Sequence, residues 1–379
     1  MKKPVCDDIS SFLVMEVLEK AQQLEKAGKS IIHLEIGQPD FTTPECIMDA
    51  ATKAMRDGKT GYTHSMGILP LREALAAYYE REYGATVSPE RIIVTNGTSA
   101  AMLLLFGAMF DSGGKAVISD PSYACYANFI LYTGGSVISV PTREENGFQL
   151  NVDDVRARLT PDTKALLVNS PSNPGGTIIK PEEFKALCSM GPTVVSDEIY
   201  HGLVYEGRAA SVLEFSDDAC ALDGFSKRYA MTGWRLGWMV IPQSFVPTVQ
   251  KLQQNFMICA NSMAQWAGIA ALEQAGPDVE RMRLEYDRRR KVLLAGLRSI
   301  GLTVKSDPVG AFYVLANARH ISNNSLELAF DILEKAGVGI APGIDFGPGA
   351  EGYLRFSYAN SVENIEEGIQ RLKRYLENR

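Results

Sequence analysis

The sequence lacks any long, uninterrupted run of apolar residues. The longest, "AAMLLLFGAMF" at residues 100–110, has eleven residues, whereas a helix that crosses a bilayer needs about twenty. The first twenty residues have no apolar core either, because Asp7, Asp8, Glu16 and Glu19 interrupt them, and they therefore do not resemble a signal peptide. We expect a soluble, cytoplasmic protein that does not bind membranes.

Paired cysteines, histidines and basic tracts are also scarce. None of the six cysteines belongs to a Cys-x-x-Cys pair, and there are four histidines, which argues against a metal site and, at this chain length, against a disulfide scaffold. We expect the cysteines to be small buried apolar side chains. Lysine plus arginine minus aspartate plus glutamate is 38 − 45 = −7. An acidic chain without basic tracts is a poor partner for nucleic acid.

Two nucleotide-binding motifs are incomplete. "GPGAEG" (347–352) has the glycine spacing of a dinucleotide-binding turn, but an expected strand follows it where that motif needs a helix. "AGKS" (27–30) resembles the end of a phosphate-binding P-loop, but Gln23 stands where the first glycine must be. We reject both motifs.

The middle of the chain alternates short β-branched runs with helical stretches. Nearly continuous apolar strands alternating with helices indicate a parallel sheet that is covered on both faces. The expected strands are 91–95, 115–119, 136–140, 164–170, 192–198, 220–226 and 236–241. The predicted fold class is α/β, a doubly wound, mostly parallel seven-stranded sheet, accompanied by a smaller α+β domain.

The pattern changes after residue 280. A long charged helix is expected at 279–301, and its run Arg288 to Lys291 is interpreted as a solvated face. Strands at 31–37, 310–316, 338–341 and 353–359 and a final helix at about 361–377 are assigned to the smaller domain. Because 379 residues exceed one ordinary core, we expect a large domain at 45–280 and a small domain formed by 1–44 and 281–379.

Polar and aromatic residues stand where the expected sheet strands end. Ligands of open α/β sheets bind just beyond the carboxyl ends of the strands. Those ends carry "NGTSAA" (96–101), "DPSYACY" (120–126), "NSPSNPGG" (169–176), "SDEIYHG" (196–202) and "GFSKRY" (224–229). The sequence therefore predicts a binding site at this edge of the sheet.

A phosphate site is indicated by Gly97, Thr98 and Ser99, which follow a strand and begin a helix. Backbone N–H groups and hydroxyls at a helix amino terminus suit a dianionic phosphate. Ordinary capping by Thr98 or Ser99 is the alternative. Arg235 adds a guanidinium group of the kind that binds phosphate.

Asp197 ends one expected strand, and Lys227 follows the next expected strand along the chain. A buried carboxylate at Asp197 costs free energy unless it is paired, so a cationic partner is expected, with capping of the next helix as the alternative. A lysine among apolar walls has a lowered pKa and is nucleophilic toward aldehydes. Together with the phosphate site, these residues describe a ligand with an aldehyde, a ring nitrogen and a phosphate, which is pyridoxal 5′-phosphate (PLP).

The chain resembles the PLP-dependent class I/II aminotransferases of fold type I, the aspartate-aminotransferase-like group. The matching segments are 36–44, 61–75, "SNPGG", "SDEIY", the stretch from Ser226-Lys227 to Arg235-x-Gly237, and 355–369. The resemblance implies that an amino group moves between an L-amino acid and a 2-oxo acid by a ping-pong mechanism, with PLP as cofactor.

The resemblance also implies roles for the residues around the PLP ring. Lys227 would hold PLP covalently and move the substrate proton, and Asp197 would pair with the ring nitrogen. Tyr200 and Asn173 would hydrogen-bond the ring 3-oxygen, and Tyr123 would stack on the ring.

Further implied roles concern the phosphate and the subunit arrangement. Gly97, Thr98, Ser99 and Arg235 would bind the phosphate. Some relatives have another phosphate-binding serine where this chain has Gly224, and Ser226 is the candidate substitute. Tyr62 would reach the phosphate in a neighbouring subunit, which implies a homodimer with shared active sites.

Arg355 would bind the substrate α-carboxylate, helped by Asn173 and the Gly37 backbone. The alternative is a solvent-exposed arginine, because Tyr353, Arg355 and Ser357 share one face of an expected strand. A PLP-dependent carbon–sulfur lyase and a non-enzymatic regulator with this fold remain alternative functions. The apolar stretch 9–17 is a candidate wall for the substrate side chain, although the same pattern is typical of an amphipathic helix.

Overall fold

A computed structural model describes residues 5–379, without the side chains of Val5 and Cys6. The helices are α1 (Leu13–Lys26), α2 (Glu45–Arg56), α3 (Leu69–Tyr83), α4 (Thr98–Phe110), α5 (Cys125–Tyr132), α6 (Val152–Arg156), α7 (Pro181–Cys188), α8 (Val246–Phe256), α9 (Ser262–Gln274), α10 (Gly276–Ser299), α11 (Ser325–Ala336) and α12 (Val362–Glu377). The strands are β1 (Ile32–His33), β2 (Ile92–Thr95), β3 (Lys115–Asp120), β4 (Ser136–Pro141), β5 (Thr163–Asn169), β6 (Thr193–Asp197), β7 (Cys220–Gly224), β8 (Gly237–Val240), β9 (Tyr313–Asn317), β10 (Val338–Gly339), β11 (Ala341–Pro342) and β12 (Tyr353–Ser357).

The predicted seven-stranded sheet is confirmed. Its strand order is β2-β8-β7-β6-β5-β3-β4, and its pairs are parallel except for those that involve β8. Alternate residues of β5 enter two apolar clusters on opposite faces of the sheet. Leu166 and Val168 belong to one cluster, and Ala165 and Leu167 belong to the other. Burial of both faces explains why these strands are continuous apolar runs.

The smaller sheets differ in detail from the expectation. The predicted strand at 31–37 is reduced to the two residues of β1, which pair in parallel with β10. The predicted strand at 338–341 is divided between β10 and β11. The strands β11, β12 and β9 form an antiparallel sheet in that order. The division into domains at residues 45 and 280 stays a prediction.

Five cysteines are described, and all five are free thiols. Cys220 is buried, whereas Cys46, Cys125, Cys188 and Cys259 are partly exposed. The prediction that the cysteines are buried is therefore confirmed in full only for Cys220 among the five. The side chain of Cys6 lies outside the described residues. No helix from residue 5 onward is both long enough and apolar enough to span a membrane.

The basic run on α10 is only partly a solvated face. Arg288 and Lys291 are exposed, but Arg289 and Arg290 keep only 6% and 3% of their surface accessible. Arg289 forms an ion pair with Asp40 at 2.8 Å. The interpretation of the whole run as solvated is therefore wrong, because two of its guanidinium groups are paired inside the protein.

Arg290 is held by three groups. Its guanidinium donates to the carbonyl oxygen of Pro308 at 2.6 Å, to Asp287 at 2.9 Å, and to Glu206. Removing it leaves the buried Pro308 carbonyl without this donor and takes one of two cations from Asp287, which keeps its ion pair with Lys291.

We predict that Arg290→Met lowers the free energy of unfolding by roughly 2–4 kcal/mol. Thermal unfolding measures this as a melting temperature several degrees below that of the parent protein. The matched control is Arg288→Met, which removes an exposed arginine from the same helix and should leave the melting temperature nearly unchanged. Equal effects of the two substitutions would show that burial of Arg290 is not stabilising.

Candidate active site

The carboxyl ends of β5, β6 and β7 and the start of α4 open into a cavity of about 400 Å³. Its other walls come from the start of α1, from residues 35–38 and from the small sheet. The predicted site residues that line it are Gly37, Thr98, Ser99, Tyr123, Asn173, Asp197, Tyr200, Ser226, Lys227, Arg235 and Arg355. The fold thus brings together residues that are up to 318 positions apart in the sequence (355 − 37 = 318).

Lys227 lies three residues beyond the end of β7, which runs parallel to β6. Its Nζ donates to the carbonyl oxygen of Gly37 at 2.5 Å. Burial, together with the positive charges of Arg355 and Arg235, lowers the pKa of the Lys227 amine from 10.5 to about 8, while the charge of Asp197 acts in the opposite direction. A substantial fraction of this amine is therefore neutral and nucleophilic near pH 8.

Asp197 ends β6 and is 4% exposed. One carboxylate oxygen accepts a hydrogen bond from the hydroxyl of Tyr126 at 2.6 Å, and the other accepts from the backbone N–H of Ile199 at 3.2 Å. Burial raises the pKa of Asp197 to about 6, while these hydrogen bonds and the charge of Lys227 act in the opposite direction. Tyr126 was not predicted from the sequence.

A line of hydrogen bonds joins Asp197 to Arg355. The Asn169 side chain donates to the carbonyl oxygen of Asp197 at 3.0 Å and accepts from the backbone N–H of Asn173 at 2.7 Å. The side-chain oxygen of Asn173 then accepts from Arg355 at 3.1 Å. Asn169 was also missed, although it lies beside Asp197 in the register of β5 and β6.

Arg355 is only 2% exposed, so the alternative of a solvent-facing arginine is wrong. Its guanidinium lies 4.4 Å from the ring centroid of Tyr313 and 4.9 Å from that of Phe346. Besides Asn173, it donates to the carbonyl oxygen of Glu35, and its Nε has no hydrogen-bond partner among the described residues. The group is therefore preorganised within apolar surroundings, where a carboxylate is bound strongly.

Two predicted tyrosines, Tyr200 and Tyr123, line the cavity. The Tyr200 hydroxyl is hydrogen-bonded to that of Tyr313 at 3.0 Å, and burial raises the Tyr200 pKa well above its usual value. Tyr123 contacts Tyr126 edge-on, with 5.2 Å between the ring centroids. Tyr200 is therefore a neutral hydrogen-bond donor at physiological pH.

The start of α4 supports the phosphate site and not ordinary capping. Gly97 is the N-cap residue, with φ of 83°, and no side chain caps the helix. A Cβ at this position would lie 2.8 Å from Nη2 of Arg235, so the guanidinium packs against the bare backbone. Thr98 and Ser99 line the cavity here, as donors that are not needed for capping.

The neighbourhood of Lys227 also accounts for Gly224. A Cβ at residue 224 would lie 3.2 Å from both the Gly237 Cα and the Leu236 carbonyl oxygen, which leaves little room for a serine there. Ser226 is 8% exposed and lines the cavity. The structure thus places a hydroxyl in the cavity at 226, whereas a side chain at 224 would require its neighbours to move by a few tenths of an ångström.

These residues fit PLP. A neutral amine, a buried carboxylate and a backbone cradle beside an arginine correspond to the aldehyde, ring nitrogen and phosphate of that group. The cradle would be filled by a Cβ at Gly97. Tyr62 is not among the residues that line the cavity and is 83% exposed.

Comparison with known proteins gives one family. The family model for class I and II aminotransferases matches residues 29–372. The chain is 40% identical over 373 residues to a (5-formylfuran-3-yl)methyl phosphate transaminase of Methanocaldococcus jannaschii, with 97% of this chain and 98% of that protein covered. It is 36% identical to a valine–pyruvate aminotransferase of Mycobacterium tuberculosis, with 97% of each covered.

A solved structure agrees with these sequence matches. The aspartate aminotransferase of Thermus thermophilus with maleate has a TM-score of 0.94 and 37% identity to this chain, with 99% of each chain covered. The three similar proteins are named for different substrates, so their names do not identify the amino acid that this chain prefers.

We predict that an amine-directed reagent labels Lys227 of the cofactor-free protein with a half-maximal rate near pH 8, because only the neutral amine reacts. Peptide mapping over a pH series measures this rate. Asp197→Asn should move the midpoint to lower pH, since the charge of Asp197 raises the pKa of Lys227. A midpoint near 10, the usual range for lysine, would contradict the assigned environment.

Proposed function

This chain belongs to the class I and II aminotransferase family, whose members depend on PLP, and we propose that the residues of the cavity carry out its reaction. The protein transfers an amino group between an L-amino acid and a 2-oxo acid with ping-pong kinetics. The observation that carries the assignment of roles is the position of the Lys227 amine in one cavity with buried Asp197 and buried Arg355.

PLP, when bound, supplies an electron-accepting ring that stabilises the negative charge left when the α-proton of the substrate is removed. Asp197 would keep the ring nitrogen protonated, because its carboxylate is buried and turned to a fixed position by Tyr126. Gly97, Thr98, Ser99, Ser226 and Arg235 would hold the phosphate.

Lys227 would hold the cofactor and move the proton. A lowered pKa of about 8 lets its Nζ accept a proton and return it near neutral pH. Tyr200 and Asn173 would donate to the ring 3-oxygen, and Tyr123 would pack on the ring face.

Arg355 would bind the substrate α-carboxylate. The residue is buried, and Asn173 and the Glu35 carbonyl fix its orientation. The Gly37 backbone lies at the same end of the cavity. This arrangement positions the α-proton of the substrate relative to Lys227.

We also propose that the chain works in the cytoplasm and that residues 45–280 form a large cofactor-binding domain beside a small domain of 1–44 and 281–379. The seven-stranded sheet within 92–240 and the separate sheet within 313–357 support the division. Cell fractionation and limited proteolysis test these two points.

An exposed apolar surface supports a homodimer with shared active sites. Tyr62, Phe256 and Ile258 are 83%, 68% and 48% exposed. The segments that carry Tyr62 and Ile258 lie side by side, because the Thr63 N–H donates to Sγ of Cys259 at 3.5 Å. Such a patch is costly in water and typical of an interface, and from it Tyr62 would reach the partner's cofactor phosphate.

We predict that Lys227→Ala lowers kcat by about 10²–10⁴-fold, because the proton-transferring amine is lost. The assay adds each of several L-amino acids to the PLP-loaded parent protein and to the variant. It follows the cofactor absorbance and the 2-oxo acid formed. Pyruvate and 2-oxoglutarate then serve as acceptors. Conversion of no donor would indicate a regulator, and release of ammonia with pyruvate would indicate a lyase.

Subunit mixing tests the shared site. Tyr62→Ala and Lys227→Ala are each expected to be impaired, but a denatured and refolded equimolar mixture should recover about a quarter of parent activity. Half of its dimers pair the two variants, and each of these has one intact site. A mixture no more active than the mean of its components contradicts a contribution of Tyr62 across the interface.

A further inference from the structure

One wall of the cavity is apolar and belongs to a single short segment. Phe12, Val14, Met15 and Leu18, at the start of α1, all line it. Their side chains are aromatic, branched and thioether groups. The substrate side chain is the part of the ligand that has no assigned contact in the proposed function, and this wall is the surface left for it.

The wall stands at the substrate end of the cavity. Phe12 contacts Tyr123 edge-on, with 6.1 Å between the ring centroids. Val14 belongs to the same apolar cluster as Phe346, whose ring lies 4.9 Å from the Arg355 guanidinium. A substrate whose carboxylate is bound by Arg355 therefore has this wall beside it.

The position of the wall is fixed by one carboxylate. The two oxygens of Asp345 accept hydrogen bonds from the backbone N–H groups of Leu13 and Val14, at 2.8 and 3.2 Å. A carboxylate at a helix amino terminus is stabilising. Both oxygens of Asp345 are thus used to hold α1.

Charged groups in the cavity are already assigned. From residue 5 onward, the cations that line it are Lys227, Arg235 and Arg355, and the proposed function uses each of them. Of the two lining acids, Asp197 serves the ring nitrogen, and Glu35 is paired with His33 at 2.6 Å. Among the residues of one subunit that line the cavity, no further cation is left for a substrate side chain.

We infer that this aminotransferase selects L-amino acids whose side chains are uncharged and apolar or aromatic, and that Phe12 and Met15 determine this preference. The inference rests on the proposed function, because it takes Arg355 as the group that binds the α-carboxylate. A charged side chain against the α1 wall loses its hydration without gaining a partner, which is unfavourable.

The first test measures kcat/KM of the holoenzyme for leucine, methionine and phenylalanine against aspartate, glutamate and lysine. The apolar donors should exceed the charged donors by at least about tenfold, the smallest effect of one methylene in an apolar pocket. Equal or faster reaction of a charged donor overturns the inference but leaves the proposed function intact. Absence of reaction with every donor overturns the proposed function itself.

The second test places a cation on the wall. Met15 is 45% exposed, so Met15→Arg fits at the cavity rim without burying the new charge. The ratio of kcat/KM for aspartate to that for leucine should rise at least about tenfold, because a distal carboxylate gains a partner. Gln22→Arg is the matched control, since Gln22 is exposed on the same helix and outside the cavity lining, and its ratio should stay unchanged.

A third variant removes surface without adding charge. Phe12→Ala should lower the ratio of kcat/KM for phenylalanine to that for alanine by about tenfold, because the large side chain loses its contact. Cofactor absorbance and the melting temperature show whether each variant is folded and loaded. An unchanged aspartate-to-leucine ratio in folded Met15→Arg, or an unchanged phenylalanine-to-alanine ratio in folded Phe12→Ala, overturns the assignment of the wall.

Discussion

The site depends on the hydrogen-bonded line that runs from Asp197 through Asn169 and Asn173 to Arg355. Asp197 belongs to the seven-stranded sheet, whereas Arg355 belongs to the small antiparallel sheet. Two asparagine side chains therefore tie the strand that would serve the ring nitrogen to the strand that would serve the substrate carboxylate. Since both ends are buried, displacement of either asparagine side chain would alter the positions of both Asp197 and Arg355.

Lys227 lines the same cavity as Asp197 and Arg355, and its chemistry follows from its surroundings. Burial and two arginines lower its pKa, while Asp197 opposes them. The same arginines are the proposed ligands of the phosphate and the carboxylate. Binding of those anions would weaken the repulsion that Lys227 feels, so the occupancy of the site and the basicity of its amine are physically coupled.

The sequence predicted the seven strands and most of the cavity because both follow local rules. Apolar runs are dictated by a sheet buried on two faces, and polar loop residues collect at the carboxyl ends of its strands. The roles of Arg355, Tyr62 and the residues around the PLP ring came instead from the family resemblance, since nothing in a strand-like arginine or an exposed tyrosine specifies a ligand. Their roles stay proposals.

What the sequence did not reveal depends on long-range packing. Asn169 and Tyr126 act on Asp197 from another strand and another helix, and neither belongs to a motif with a distinctive spacing. Asn169 does stand at the end of an expected strand, as Asp197 does, and this position was the signal that could have identified it. Burial of Arg289 and Arg290 was equally hidden, because their acceptors, Asp40 and Pro308, are distant in sequence or lack charge.

The attachment of α1 through Asp345 separates two tasks within the molecule. The residues proposed to contact the substrate side chain lie on or beside α1, outside the strands of both sheets. None of the groups proposed for proton transfer lies on this helix. Substitutions of these few side chains could therefore change which amino acids are accepted while the catalytic residues stay the same. This separation is a physical basis for the divergence of one fold into enzymes with many metabolic roles.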